Sequence, residues 1–319
     1  MANLKNPDLI VLLQKILAQH SFNKIAVGLS GGMDSVALAH ALFLLKHPQV
    51  LAIHIHHGIS PNANKWFEFS QNFAKARHFD FAFEKVHLPN FSENAARAAR
   101  FQVFEKIAGD TPLFLAQHAN DQMETILFKM ARGGGLAAFR GIKKIKKINN
   151  LTIIRPWISV PRSAILAFAK AHNLHWVEDE SNADCRYSRN FLRHQVIAPF
   201  QKRFPAVVAH FAQSSEIANE ALALLNDLAK MDFARAALGQ NALSVAQIRS
   251  LSLYRLKNLL RFILEESGIP MPPQTQFLEF VRQMMESQKS PRLDLPNFSM
   301  FIQNGQLKWQ KSTVNNDFF

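Results

Sequence analysis

The sequence predicts an α/β domain wound on both sides of a parallel sheet, followed by a mainly helical C-terminal domain with a small hairpin. Three observations predict it. Short, continuously apolar runs alternate with longer amphipathic ones through the first 130 residues, the pattern of strands covered on both faces by crossover helices. After that stretch the strand-helix alternation fades, and the last hundred residues carry mostly helical periodicity. The charge divides in the same place. Residues 1–212 hold 26 basic and 14 acidic residues, whereas 213–319 hold 11 and 10. At about 150 residues per domain, a chain of 319 residues accommodates two, and we place the boundary between 212 and 213.

Taken in order, Ile25–Leu29, Val50–Ile55, Phe81–Val86 and Leu113–Gln117 are apolar without alternation and read as buried strands. Ser35–Leu45, Ala63–Arg77 and Ser92–Ile107 read as the helices between them, with Asp121–Met130 after the fourth strand. Ligands of such sheets bind beyond the carboxyl ends of the strands, so the residues after Leu29, Ile55 and Gln117 should converge. Beyond Gly133 the pattern loosens into a Gly-rich, Lys-rich stretch. A short strand around Ile153, a helix from Ser163 to His172, a polar turn at Glu178–Arg186 and a helix over Arg189–Phe204 follow. In the last third, Ser214–Leu228, Ser244–Glu266 and Gln274–Ser287 are expected helices, and Arg292–Trp309 a hairpin turning at Asn304-Gly305.

Composition excludes several classes. With 48% apolar and 19% charged residues the chain is neither disordered nor fibrous. No apolar run approaches about 18 residues, the length of a membrane span. Met1 to Ile16 carries Lys5, Asp8 and Lys15 and no small-residue cleavage site, which argues against a secretory signal. The single cysteine, Cys185, excludes an internal disulfide, a four-thiolate zinc site and a CxxC pair. A soluble, cytoplasmic protein with no membrane partner is expected. Residues 129–203 hold 15 basic and 4 acidic residues, the footprint of a polyanion-binding face or of a solvated basic surface. The run Lys143-Lys144-Ile145-Lys146-Lys147 lacks a flanking amphipathic helix with Trp or Phe, which argues against a membrane surface.

The strongest local signal is Ser30-Gly31-Gly32-Met33-Asp34-Ser35, directly after a strand and directly before a helix. Two glycines allow a tight turn with exposed N–H groups, the serines add hydroxyls, and the helix offers its positive end, so the loop is a phosphate cradle or simply a turn. It has neither the lysine of a P-loop nor the spacing of a dinucleotide fold. Asp34 opens the helix, where a carboxylate caps N–H groups or holds Mg²⁺. Asp121 and Glu124 are three apart at a helix start, placed to hold Mg²⁺, to take a proton from an amine, or only to favour the helix dipole. Arg97 and Arg100 share a helix face suited to clamping phosphate, or a solvated one. Arg189 and Arg193 suit an RNA backbone or the phosphates of a reaction. His54, His57 and His118 lack a supporting ligand cluster, so nucleotide or structural contacts are expected of them rather than zinc.

Five motifs give the chain a family resemblance. SGGMDS is similar to the SGGxDS loop of the ATP pyrophosphatase, or PP-loop, superfamily. His54-Ile55-His56-His57-Gly58-Ile59, Glu93-x-x-x-Arg97-x-x-Arg100-Phe101 and His118-Ala119-Asn120-Asp121-Gln122-Met123-Glu124-Thr125 resemble successive signatures of the tRNA(Ile)-lysidine synthetase family. Glu178-Asp179-Glu180-Ser181-Asn182 with Arg189-Asn190-Phe191-Leu192-Arg193 resembles its last block. The matches run in order from about residue 25 to 203. Two positions depart from the pattern: His56 and Asn120 stand where many members have Asp, so only Asp121 and Glu124 are carried over.

The resemblance implies a PP-loop ATP-binding catalytic domain over 1–212 and a helical, tRNA-positioning accessory domain over 213–319. It implies a ligase that joins free lysine to C2 of the wobble cytidine in isoleucine tRNA with anticodon CAU, through an adenylated base, releasing pyrophosphate and AMP. ATP would sit on Ser30, Gly31, Gly32, Met33, Asp34 and Ser35, with Mg²⁺ on Asp34 and Asp121. Asp34, Asp121, Glu124 and Arg97 would be catalytic, and Lys143, Lys144, Lys146, Lys147, Arg189 and Arg193 would contact tRNA. Rival readings are tRNA thiolation, amide or amine ligation on a small molecule, an inactive tRNA-binding module and a nucleotide-binding electron carrier. The single thiol weighs against thiolation, since sulfur insertion needs a persulfide carrier or paired cysteines. The basic block weighs against small-molecule synthesis, and the intact Asp34, Asp121 and Glu124 against an inactive module.

Overall fold

In the computed structural model, which describes residues 8–20, 22–56, 58, 62–86, 93–180, 184–286 and 291–311, the central strand is β1 (Ile25–Gly28). On one side it pairs in parallel with β2 (Val50–His56), which pairs in parallel with β3 (Asp80–Lys85). On the other it pairs with β4 (Leu113–Phe114), then β6 (Leu151–Ile154), both parallel, and the antiparallel β5 (Ile145–Ile148) closes the edge. The order β3-β2-β1-β4-β6-β5 reverses direction between β1 and β4. That reversal opens the crevice in which ligands of such sheets bind.

Side-chain alternation sorts the strands onto two helical layers. Ile25, Val27, Phe114 and Ile154 point to α1 (Leu9–His20), α2 (Met33–Leu44), α3 (Ala63–Lys75) and α6 (Arg162–Ala171). Ala26, Ile53, Leu113, Leu151 and Ile153 point the other way, to Phe104 and Ala108 of α4 (Glu93–Ala108). Burying both faces explains why these strands read as unbroken apolar runs. The exception is β3. Expected to be buried, it is half-exposed, with Phe83 46% accessible, because it lies at the sheet edge.

The Lys-rich stretch, expected to be loose, is a strand. β5 and β6 form a hairpin with Ile148 opposite Leu151, so its turn is Asn149-Asn150, with Asn149 at φ 49°. Asn readily adopts the left-handed conformation of a two-residue hairpin turn. Lys146 and Lys147 interrupt the apolar signal that would have marked the strand.

After β4 comes α5 (Ala119–Ala131), then a 3₁₀ turn at Gly135–Arg140. The helix expected over Arg189–Phe204 is three pieces: α7 (Ser188–Phe191), a π-helical segment (Leu192–Ile197) and α8 (Ala198–Arg203). Pro199 accounts for the break, since it lacks an N–H and crowds the carbonyl of Gln195. α9 (Val207–Ala236) is twice the expected length.

The chain divides into two compact units, 1–218 and 219–319, within α9. The second unit has its own core, including Leu256, Leu260, Ile263, Phe277, Phe280 and Met300. The helix expected over Ser244–Glu266 is α10 (Val245–Arg249) and α11 (Leu253–Glu266), each capped by a serine hydroxyl, Ser244 and Ser252; α12 is Gln274–Glu286. The expected hairpin, β10 (Phe298–Gln303) and β11 (Gln306–Lys311), turns at Asn304-Gly305. It belongs to a wider antiparallel sheet with β7 (Ala237–Gly239), β8 (Ala242–Ser244) and β9 (Arg292–Leu295), in the order β7-β8-β11-β10-β9. No helix among the described residues is long and apolar enough to cross a membrane. His57, Ile59, Ser92, Ser181, Asn182 and Ser287, which the motifs or expected helix limits include, lie outside the described residues, as does the Glu93 side chain.

Candidate active site

The Ser30–Ser35 loop is a knot of hydroxyls at the end of β1. The Ser35 hydroxyl donates to Gly32 O at 2.9 Å and accepts from Ser30 N at 3.2 Å, with the two serine oxygens 3.1 Å apart. Gly31 has φ 86°, and a Cβ there would lie 2.8 Å from the Val177 side chain, so only glycine fits. Gly32 caps α2 without a side chain of its own, leaving the first-turn N–H groups to an outside acceptor. The Met33 side chain is buried in the core on the α2 face and anchors the helix.

From the first turn of α2, Asp34 meets an imidazole and a guanidinium. Its Oδ2 lies 3.7 Å from His118 Nε2 and 3.4 Å from Arg162 Nε. His118 caps α5, and its Nδ1 lies 3.3 Å from Asp121 Oδ2. Asp121 returns the contact by accepting from His118 N at 2.9 Å, which completes a capping box. The Nδ1 contacts are alternatives: the ring accepts from Asp121 N–H when neutral and donates to Asp121 Oδ2 when charged. Burial pushes the Asp34 carboxyl up, but His118 and Arg162 outweigh it and hold the group below its usual range. Burial likewise opposes charge on His118, and Asp121 and Asp34 overcome it, so its pKa is raised. The two carboxylates expected to hold a metal are thus joined by one imidazole. Asp34 Oδ1 is left buried without a partner.

Glu124 lies one turn further along α5 and has a different environment. Its side chain is 3% exposed, and it accepts from Arg189 Nη1 at 2.9 Å and Arg193 Nη2 at 2.8 Å. The two arginines expected on an RNA backbone are therefore engaged by a buried carboxylate. The side chains of Asp121 and Glu124, expected to act together, go to separate partners.

A third group is cationic. Arg97 is exposed on α4, its guanidinium 5.2 Å from the Phe101 ring. Lys143, Lys144, Lys146 and Lys147 are all exposed, but the pleat of β5 puts Lys146 and Lys147 on opposite faces. Of the three histidines weighed as a triad, His57 lies outside the described residues, and His54 and His118 have separate contacts. His54 Nδ1 is 2.9 Å from Leu29 O, and burial depresses its pKa; His56 Nε2 is 3.0 Å from Asn64 Oδ1. Among the described residues no group of three or more His, Cys, Asp or Glu could hold a metal. Asn120, one departure from the family pattern, accepts from Arg162 N at 3.0 Å and so tethers the start of α6.

Sequence reasoning missed Arg162 and Arg155. Arg162 stands 128 positions from Asp34, beyond any local pattern. Arg155 had a signal: it follows the strand around Ile153, where the rule of convergence at carboxyl ends applies as it does after Gln117.

Comparison with known proteins gives the family of the chain. A family model described as a PP-loop domain matches residues 6–199, and one described as a TilS substrate binding domain matches 243–307. The tRNA(Ile)-lysidine synthase of Nitrosomonas europaea is 37% identical over 82% of this chain and 59% of its own length. Those of Haemophilus ducreyi and Enterobacter sp. are 33% and 32% identical, over 92% and 94% of this chain and 70% and 73% of theirs. The chain spans 59%, 61% and 62% of the length of the Nitrosomonas europaea, Chromobacterium violaceum and Azoarcus sp. proteins. Among solved structures, the U34-tRNA thiolase of Methanococcus maripaludis aligns with a TM-score of 0.55 over 65% of this chain and 77% of that one, at 17% identity. That is a likeness of fold.

Proposed function

The chain belongs to the tRNA(Ile)-lysidine synthase family of PP-loop proteins, and on that premise we propose that it joins free lysine to C2 of the wobble cytidine in CAU-anticodon isoleucine tRNA. ATP drives the ligation in two steps. The cytosine C2 oxygen attacks the α-phosphate, giving an adenylated base and pyrophosphate, and the lysine ε-amine then displaces AMP. Both steps gather negative charge on phosphates, so the protein contributes mainly positioning and fixed positive charge.

The residues divide the work accordingly. The hydroxyl knot and the open amides of α2 hold phosphate oxygens. Asp34, kept ionised by His118 and Arg162, fits Mg²⁺, because this ion is bound by one or two carboxylates plus nucleotide phosphates and Asp34 Oδ1 is buried without a partner. When bound, Mg²⁺ neutralises charge on the phosphates. Asp121 and His118 form the acid–base pair open to the lysine ammonium. Glu124 positions Arg189 and Arg193 for phosphate, and Arg97 offers a further cation from α4. Residues 219–319 serve to place the tRNA, and the reaction takes place in the cytoplasm.

The observation that carries this reading is the chain of contacts Asp34–His118–Asp121 beside the Ser30–Ser35 loop, at the point where the strand order reverses. The deciding experiment measures pyrophosphate release with ATP, tRNA and lysine supplied singly and together. Label from lysine should enter CAU-anticodon isoleucine tRNA. Release independent of tRNA, or entry of sulfur in place of lysine, would overturn the assignment.

A further inference from the structure

Two phenylalanine rings stand exposed at the rim of the site. α8 lies between two anchors: Ile197 before it and Val207 and Val208 after it are buried in one cluster with Ala119 and Met123 of α5. Between those anchors Gln201 accepts from Asn120 Nδ2 at 3.4 Å, which ties α8 to the residue next to Asp121. Phe200 and Phe204 stay outside that cluster, 37% and 52% exposed. Four residues apart, they share one side of the turn, and their rings meet edge to face with centroids 5.2 Å apart. The backbone beneath them is fixed, since Phe204 N donates to Phe200 O at 2.8 Å.

The charge in this stretch of chain is of one sign. From 185 to 215 it holds Arg186, Arg189, Arg193, Lys202 and Arg203 and no Asp or Glu. Arg186 is answered by Asp184, and Arg189 and Arg193 by Glu124. Arg203 instead lies over the Phe204 ring, its guanidinium carbon 5.4 Å from the centroid, and Lys202 is exposed between the two phenylalanines. Single exposed apolar side chains are ordinary on a protein surface. A contacting pair of rings, one of them under a guanidinium, with only basic residues in the sequence around it, suits a flat ligand that carries phosphate. An unpaired RNA base is such a ligand, because it stacks on aromatic faces and arginine planes while its backbone meets the cations.

We propose that Phe200 and Phe204, with Lys202 and Arg203 beside them, form a stacking shelf for an unpaired RNA base at the rim of the site of Asp121. A base that is to react must leave its stack, and the shelf takes a neighbour of that base and holds the strand next to α5. That this neighbour belongs to the anticodon loop rests on the function proposed above. Because the backbone under the rings is fixed before RNA arrives, little freedom is lost on binding.

The test uses the full chain with Phe200→Leu, Phe204→Leu and Phe204→Tyr, and Phe83→Leu on the edge strand β3 as the control for losing an exposed ring. Binding is followed by fluorescence anisotropy, without ATP or lysine, for an anticodon-arm hairpin of isoleucine tRNA and for a blunt duplex RNA with no unpaired base. Each leucine variant should bind the hairpin about tenfold more weakly and the duplex as the wild type does. The slope of log-affinity against log-salt should not change, since stacking releases no counterions. Phe204→Tyr should restore hairpin affinity, and Phe83→Leu should leave it intact. A wild type that does not prefer the hairpin, wild-type hairpin affinity in both leucine variants, or an equal loss on hairpin and duplex would overturn the shelf. So would a dimer of the chain that both leucine variants dissolve with no change in RNA affinity, because the rings would then pack on a second copy. Failure of lysine ligation beside ring-dependent hairpin binding would overturn only the function proposed above.

Discussion

Two groups of charge sit at the carboxyl edge of the same sheet and are resolved in opposite ways. On the α2 side, Asp34, His118, Asp121 and Arg162 alternate in sign, and each side chain meets an opposite charge. On the α4 side, Arg97, Lys129, Lys146 and Arg155 share one sign, with carbonyl oxygens as the partners of Lys129 and Arg155. A balanced group holds itself in place and tunes its own protonation. In the first group charge answers charge, and in the second carbonyl oxygens take Lys129 and Arg155.

Disrupting the balanced group should have the largest consequence. Asp34→Ala removes the carboxylate whose Oδ1 is buried without a partner, and pyrophosphate release should fall by about 10²–10³-fold or more. tRNA affinity should stay within a few-fold, and circular dichroism should show a folded chain. Near-normal turnover would mean that the Ser30–Ser35 loop is only a turn.

Glu124 is next in size. Glu124→Ala leaves the partly exposed guanidinium groups of Arg189 and Arg193 without this carboxylate, and losing these charge-assisted hydrogen bonds costs about 1.5–3 kcal/mol. The midpoint of urea unfolding should drop accordingly. A wild-type midpoint would show that the two arginines find solvent at no cost.

The smallest effect is a pH dependence, and it sharpens the contrast. The Asp34 pKa is lowered in the folded protein, so its contribution is present above the ordinary carboxylate value of 3.8 and fades as pH falls through the folded value. The His118 pKa is raised, so its contribution is full below the ordinary imidazole value of 6.5 and fades as pH rises through the folded value. Stability from this group should therefore peak in mildly acidic solution. In Asp34→Asn the His118 ring loses a partner, and its NMR titration should move to lower pH. An unmoved titration would place the ring under the control of Asp121 alone.

Much of this was legible in the residues. Continuous apolar runs at Ile25 and Val50 revealed a parallel sheet, because only strands covered on both faces lack alternation. Ser30–Ser35 declared a tight turn into a helix, since two adjacent glycines follow a strand, but that its serine hydroxyls take Ser30 N and Gly32 N was not legible. The hairpin at Asn304-Gly305 was equally plain. Where local chemistry competes, the reading faltered. Lys146 and Lys147 concealed β5, and Pro199 broke a helix whose periodicity looked continuous.

The sequence by itself determined the class of fold and the turn of Ser30–Ser35 into α2, because these depend on residues close together in the chain. Tertiary structure alone decided the partners of the charged side chains. It gave Glu124 to Arg189 and Arg193, 65 and 69 positions away, and joined Asp34 to Arg162 across 128. It also set Arg155 beside Gln117, 38 positions apart. The reason is that charge pairing depends on distance and burial in space, and a sheet whose strand order reverses brings together the ends of segments that the chain keeps far apart.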